Sequence, residues 1–374
     1  MSIPGYATLQ GTDHYRQRFT GKAAPEHFRQ QQGLWLSSVG IGTYLGDHDA
    51  LTDELYRKAV AHAIELGCNV IDSAINYRFQ RSERAIGAAL KDVRAHGIAR
   101  EEIFIATKGG FIPFDSAPPK DIRGYFTETF VKPGIANLSD VVAGCHCMAP
   151  SYLLNQLECS LKNMDLDCVD LYYVHNPETQ LGEVTREEFH QRLSRAFEAL
   201  ESAVAAGKIR MYGTATWNGY RNEARAKDYL SLAEVVRTAR EVAGEKHHFR
   251  AIQLPVNLAM PEALTDRNQV IDGRSVSLLE AAGELGVTVM CSASILQAQL
   301  ANELPSIISE VFQGLDTDAQ RAIQFVRSTP GVAVALIGMK QLGHVEENLR
   351  VAQLPPVTQE QYGKLFQTSD RNSV

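Results

Sequence analysis

No apolar run in these 374 residues approaches the ~20 that a membrane-spanning helix requires, so no span is expected. The opening stretch, Met1-Ser2-Ile3-Pro4-Gly5-Tyr6, lacks a basic patch followed by an apolar core, which argues against a signal peptide. Positive charge is also short, with 37 Lys and Arg against 44 Asp and Glu and a formal net charge of −7. Nucleic acid needs Lys and Arg clustered into a patch, and here they are scattered, so it is not an expected partner. Paired cysteines are scarce as well. The six (Cys68, Cys145, Cys147, Cys159, Cys168, Cys291) are spread along a long chain, which favours reduced thiols in a cytoplasmic protein over a disulfide scaffold. Cys145-His146-Cys147 is the one close group. Zinc sites pair Cys residues two to four apart and add a second ligand pair, which is missing, so no metal is expected. Repeats, low-complexity tracts and composition shifts are absent, and nothing sets an oligomeric state.

What is present is the composition of a soluble globular enzyme, 44% hydrophobic and 22% charged. Residues 1–33 are polar and weakly patterned and read as an N-terminal arm. From Leu34 to residue 351, apolar stretches that suit buried parallel strands alternate with helical spacing. The strand candidates are Ser37–Thr43, Asn69–Asp72, Ile103–Thr107, Val169–His175, Arg210–Thr214, Ala251–Leu254, Val287–Ser292 and Val332–Gly338. Between them, Leu55, Ala59, Ala63 and Leu66 share a helix face, Leu153, Leu157 and Leu161 another, and 188–206, 230–243 and 275–285 are amphipathic. Eight strand-plus-helix units predict a single α/β domain, a (β/α)8 TIM barrel, with a doubly wound sheet as the alternative. Residues 352–374 form a C-terminal tail. Two connections, 111–150 after the third strand and 255–274 after the sixth, are too long for plain turns and read as catalytic-face loops.

Gly40-Ile41-Gly42-Thr43-Tyr44-Leu45-Gly46 imitates a dinucleotide fingerprint, but its third glycine comes one residue late. Acidic residues then open the next helix, where they would repel a pyrophosphate. It reads as a tight turn.

Four polar side chains fall at or just past successive strand ends: Asp72, Tyr77, Lys108 and His175. Singly, each has a structural explanation: a helix cap, a packed ring, a surface charge, a satisfied loop histidine. At the mouth of a barrel, however, successive strand ends lie side by side and the four converge. A buried Lys108 needs a charge partner, which Asp72 supplies. An ammonium beside a phenol pulls its pKa down, making Tyr77 a better proton donor. His175 can polarise a carbonyl.

With these residues placed, the sequence resembles an aldo-keto reductase. The resemblance runs through Val70-Ile71-Asp72-Ser73-Ala74 with Tyr77, Ser82-Glu83 and Ile86-Gly87, then Ile105-Ala106-Thr107-Lys108. It continues through Leu157-Glu158-Cys159-Ser160-Leu161, Leu166 to His175, Gly207-Lys208-Ile209-Arg210 and Gln253. It closes with Ile337-Gly338-Met339-Lys340 and Glu346-Glu347-Asn348-Leu349. The resemblance implies an Asp72–Tyr77–Lys108–His175 tetrad acting on a small-molecule carbonyl or alcohol, with Tyr77 as general acid and base. It also implies NADP(H), held without a Rossmann domain, with NAD(H) possible. The implied cofactor positions are Thr216, Gln253, Ser292, Gly338, Lys340, His344 and Asn348. Ala215-Thr216 replaces the family's Ser-Asn pair. Cys291 stands where an aromatic often stacks on nicotinamide, which forfeits stacking. Potassium-channel β subunits share the scaffold, so a cofactor-binding regulatory or redox-sensing protein with little turnover is the second reading, and a phosphate-substrate barrel enzyme a third. The substrate pocket would draw on 111–150, Trp217 and 255–274. Phe114, Tyr125, Phe126 and His146 can face it or anchor the loop.

Overall fold

The computed structural model describes residues 2–367, so residues 368–374 of the expected tail lie outside it. Eight parallel strands close into a barrel: β1 (Val39–Gly42), β2 (Val70–Asp72), β3 (Phe104–Gly109), β4 (Val169–His175), β5 (Ile209–Ala215), β6 (Phe249–Pro255), β7 (Thr288–Ser292) and β8 (Val332–Gly338). β8 pairs back onto β1, Ala335 opposite Val39, and so no edge is left open. Between strands run α1 (Ala50–Glu65), α2 (Arg81–Ala95), α3 (Pro150–Met164), α4 (Arg186–Ala205), α5 (Leu232–Ala243), α6 (Leu278–Glu284), α7 (Asp318–Ser328) and α8 (Leu342–Leu349). Local chemistry starts them. Asp49 caps α1 through the Thr52 amide at 2.7 Å, and Ser277 and Glu280 form a reciprocal capping box on α6.

Strand alternation places the functional side chains. Val70, Phe104, Leu171, Met211, Ala251, Met290, Val334 and Leu336 fill the barrel interior. Their neighbours in sequence, among them Ile71, Ile105, Tyr172, Ile252 and Val289, pack outward against the helices. Two residues on from an inward Val70, Ala106 and Tyr173 come Asp72, Lys108 and His175. The period of two therefore lifts these three onto the top interior layer. The floor is plugged by a hairpin, Phe28–Gln31 paired with Leu34–Ser37, whose Leu34 and Leu36 join the interior cluster. The expected boundary at residue 34 thus falls inside that hairpin, and the preceding arm carries a helix, Leu9–Gln17.

The loop over 111–150 has its own small core. Phe126, Phe130, Ala136, Cys147 and Tyr152 pack beneath a short helix and a two-stranded hairpin. Residues 255–274 also fold into a hairpin, Gln269–Ile271 with Arg274–Val276. Asn268 donates to the Tyr220 and Asn222 carbonyls, at 2.9 and 2.8 Å, and binds this segment to the loop after β5. A third long connection, from Ala293 to Thr317, was not expected. It carries one short helix, Ser306–Val311. Ala293, Leu296, Gln297 and Ala298 take positive φ and arch over the barrel mouth.

Interior packing is tight at Gly213, where a Cβ would come 1.9 Å from the Ala251 carbonyl oxygen. Gly213→Ala should destabilise the protein by about 1–3 kcal/mol, the range for overpacking. Thermal unfolding followed by circular dichroism checks this, and an unchanged midpoint would refute the packing account.

Candidate active site

Lys108 is fully buried and reaches Asp72 Oδ1 at 2.5 Å, the Ser73 carbonyl at 2.8 Å and the Tyr77 hydroxyl at 3.4 Å. Gln253 Nε2 donates to the other Asp72 oxygen at 2.7 Å. The carboxylate therefore has both oxygens engaged, and the ammonium has three partners, as a buried charge requires. Burial alone would depress the Lys108 pKa, but Asp72 and Tyr77 outweigh it and the lysine is held charged. His175 stands on the other side of Tyr77, with ring centroids 5.8 Å apart. Burial first, then the charge on Lys108, push its pKa well below the ordinary value, so the imidazole is neutral at pH 7. A neutral imidazole keeps one N–H to donate.

Tyr77 departs from expectation. Its pKa is raised, because loss of solvent outweighs the pull of Lys108. Lys108 offsets part of the burial effect without reversing it. The phenol is protonated at neutral pH, the state a proton donor needs.

Above these groups opens a cleft of about 680 Å3. Of the expected cofactor positions, Thr216, Gln253, Ser292, Gly338, His344 and Asn348 line it. Lys340 does not: it lies at the rim, its Nζ 3.2 Å from where a Gly46 Cβ would stand. Cys291 is not at the cleft either. It is fully buried, pointing outward among the residues packed between barrel and helices. The aromatic walls come from Tyr44, Phe111 and Trp217. Phe111 meets His175 edge-on at 5.0 Å, and Tyr44 meets Tyr77 at 4.9 Å. Phe114, Tyr125 and Phe126 anchor their own loop, and no residue of 255–274 lines the cleft. His146 is also structural, since Gln180 donates to its Nδ1 and its Nε2 donates to the His175 carbonyl at 2.7 Å. Both nitrogens are thereby used within the protein, and among the described residues no group of three or more His, Cys, Asp or Glu could hold a metal ion.

The fold agrees with comparisons to known proteins. The sequence model described as the aldo/keto reductase family matches residues 38–236. The chain belongs to the aldo/keto reductase family. It is 25% identical to aldo-keto reductase yakc of Schizosaccharomyces pombe over 65% of this chain, but spans only 53% of that protein. It is 24% identical to a putative voltage-gated potassium channel subunit beta of the same organism, over 90% of both chains. A Klebsiella pneumoniae aldo/keto reductase solved with NADP and acetate superposes with a TM-score of 0.61 at 19% identity, covering 94% of this chain and 98% of that one.

In this aldo/keto reductase a strained backbone run follows the tyrosine. Arg78, Phe79 and Gln80, which follow Tyr77, all take positive φ, at 48°, 55° and 70°. Such conformations cost non-glycine residues about 1–3 kcal/mol each and need support from the surroundings. Buried Arg78 supplies it, donating to the Asp47 carbonyl at 2.9 and 2.7 Å and to Asp53 at 2.7 Å. Two polar atoms at the cleft, Asn76 Oδ1 and Thr216 Oγ1, are shut off from solvent without a hydrogen-bond partner among the described residues. An orphaned group of this kind costs about 1–3 kcal/mol.

Sequence reasoning also missed Glu178. Its Oε1 accepts from the Trp217, Asn218 and Gly219 amides at 2.8, 3.2 and 3.4 Å, holding the turn beside Thr216. Burial pushes its pKa up to about 7 against the counter-pull of those amides. The folded state therefore keeps the proton longer than the unfolded chain does. The resulting contribution favours folding in acid and is lost as pH rises from the ordinary carboxylate range through about 7. The span is worth roughly 3 kcal/mol at 1.36 kcal/mol per pKa unit. Glu178→Gln should remove this slope, so the variant's stability relative to wild type should rise between pH 5 and 8 in urea titrations. Parallel curves for the two proteins would exclude it.

Proposed function

We propose that this protein is an NADP(H)-dependent oxidoreductase that interconverts an aldehyde or ketone and its alcohol, with Tyr77 as general acid and base. The observation that carries the reading is the buried Asp72–Lys108–Tyr77 chain beside a neutral His175, at the base of one cleft. The cleft residues fit the cofactor. Thr216 lines the cleft at a position the family resemblance gives to the cofactor, and would hold part of it there. The first turn of α8 is open to a phosphate, because its N-cap residue Gln341 makes no side-chain cap bond. Gln253, Ser292, Gly338, His344 and Asn348 complete the groove, and Lys340 at its rim suits a 2′-phosphate better than a free ribose hydroxyl. NAD(H) is the weaker candidate. When bound, the nicotinamide supplies or accepts the hydride.

The chain's own residues do the rest. In reduction, the carbonyl oxygen sits between Tyr77 and the N–H of His175, which orients and polarises it. Tyr77 gives its proton to that oxygen as negative charge builds there. Lys108, kept charged by Asp72, stabilises the phenolate left behind. In oxidation, the phenolate takes the proton from the alcohol.

A second reading, a cofactor-binding regulatory subunit with little turnover, draws support from the potassium-channel relative aligned over 90% of both chains. Slow cofactor release without multiple turnover in stopped-flow would favour it. Under the leading reading, Tyr77→Phe should lower kcat by at least about 100-fold, the lower end for a general acid. NADPH affinity, read by fluorescence titration, should stay within a few-fold of wild type. Near-normal turnover in that variant would sink the assigned role. Lys340→Ala should weaken NADPH binding about tenfold and NADH binding little, and an equal loss for both would remove Lys340 from 2′-phosphate recognition.

A further inference from the structure

The end of the barrel opposite the reacting groups carries a second cavity, which the proposed chemistry leaves unused. Its volume is about 380 Å3, within the roughly 300–1,000 Å3 of small-molecule sites. Four segments meet there: the N-terminal arm at Tyr6, the floor hairpin at Gln32 and Leu34, β5 at Arg210 and β6 at Arg250. The two arginines lie near the starts of neighbouring parallel strands, so the fold itself brings both to one cavity.

Neither guanidinium is neutralised. That of Arg210 lies over the Tyr6 ring, 4.1 Å from its centroid, and among the described residues it makes no hydrogen bond or ion pair. Stacking fixes the plane of a guanidinium and leaves its N–H edge free to fork onto an oxyanion. Arg250 spends one nitrogen, on the Phe249 carbonyl at 2.9 Å and His247 Nδ1 at 3.3 Å, and keeps the other two free among the described residues. The carboxylates nearby are already engaged. Asp170, which lines the cavity, accepts from the Ala7 and Ile105 amides and from buried Arg100, at 2.6, 2.8 and 2.7 Å. Glu201 holds the ring of His248, another wall residue, at 2.7 Å. In a chain of net charge −7, two uncompensated cations at one cavity reverse the local sign and draw in an anion.

Two guanidiniums with free N–H groups match a doubly charged oxyanion. Leu34 and Met211 add apolar wall, against which an organic remainder can lie. We propose that this floor cavity binds a small phosphate monoester, with its phosphoryl oxygens held by Arg210 and Arg250. The bound molecule bridges the N-terminal arm, the hairpin and two strands. It is a ligand and not a substrate, because the reacting groups stand at the other end of the barrel. The inference is independent of the role proposed for Tyr77.

Calorimetric titration with glycerol 3-phosphate tests it, with one equivalent of NADP+ present to fill the cleft at the barrel mouth. Wild-type protein should bind one glycerol 3-phosphate per chain, whereas glycerol, which lacks the phosphoryl group, should not bind at the same concentrations. Arg210→Gln should weaken the affinity about tenfold or more, the effect of one charge-assisted hydrogen bond. Arg210→Lys keeps the charge without the fork and should fall between the two. Both variants should keep the fold, since Arg210 makes no hydrogen bond within the described protein, and circular dichroism checks this. No saturable binding of glycerol 3-phosphate at millimolar concentrations overturns the proposal. Equal affinity in wild type and Arg210→Gln overturns it too, since the phosphate would then sit elsewhere. Tyr77→Phe should bind glycerol 3-phosphate as wild type does, so the floor site and the proposed catalytic role fail separately.

Discussion

An ammonium group at the centre of a barrel is tolerable only with a carboxylate beside it, and the Lys108–Asp72 pair is the constraint around which the site is built. The pair spans neighbouring strands, β2 and β3, so barrel closure itself sets its geometry. Its other contacts extend outward from there. Gln253 ties the free carboxylate oxygen to β6 across the mouth, and Tyr77 hangs from the ammonium. His175 is neutral first because it is buried, and the same charge adds to this, since a cation in a dry pocket disfavours a second one nearby. Burial sets the protonation states of both Tyr77 and His175, and the buried ion pair moderates the first and reinforces the second.

The floor of the barrel supports this arrangement. Leu34 and Leu36 from the hairpin fill the interior below Phe104 and Leu171, so the cavity cannot run through the barrel. The cleft opens at the top, where the polar groups of the site stand above the apolar layers. Loops then divide the mouth: the arch from Ala293 to Ala298 and the α8 end cover one arc, and Phe111 with Tyr44 wall the other.

Much of this was legible in the sequence. The eight strands could be read from short apolar runs ended by Gly, Pro or polar residues, and each lies within two or three residues of its expected bounds. Asp72, Lys108 and His175 were legible because strand alternation alone decides which residues point inward at a strand end. Outside the strands, reading failed where contacts between distant segments decide the outcome. Cys291 and Ser292 are adjacent, and the alternation that turns the serine to the cleft turns the cysteine to the helices. Tyr77 was assigned a lowered pKa from its one charged neighbour, whereas desolvation by the whole mouth is larger. Glu178 looks like a surface carboxylate until the turn at residues 217–219 folds over it.

The left-handed run at residues 78–80 carries a consequence for how the protein fails. Its strain is borne by hydrogen bonds from Arg78 to Asp47, in the loop between β1 and α1, and to Asp53 in α1. That loop is held by hydrogen bonds and by two ring contacts, Tyr44 with Tyr77 and His48 with Phe79, whereas the barrel is held by a large apolar core. Mild denaturant or heat therefore loosens the clamp while the strands remain paired. Once it yields, residues 78–80 relax to ordinary backbone angles and the phenol swings off its lysine. Inactivation would run ahead of unfolding, with a folded but idle barrel as the intermediate.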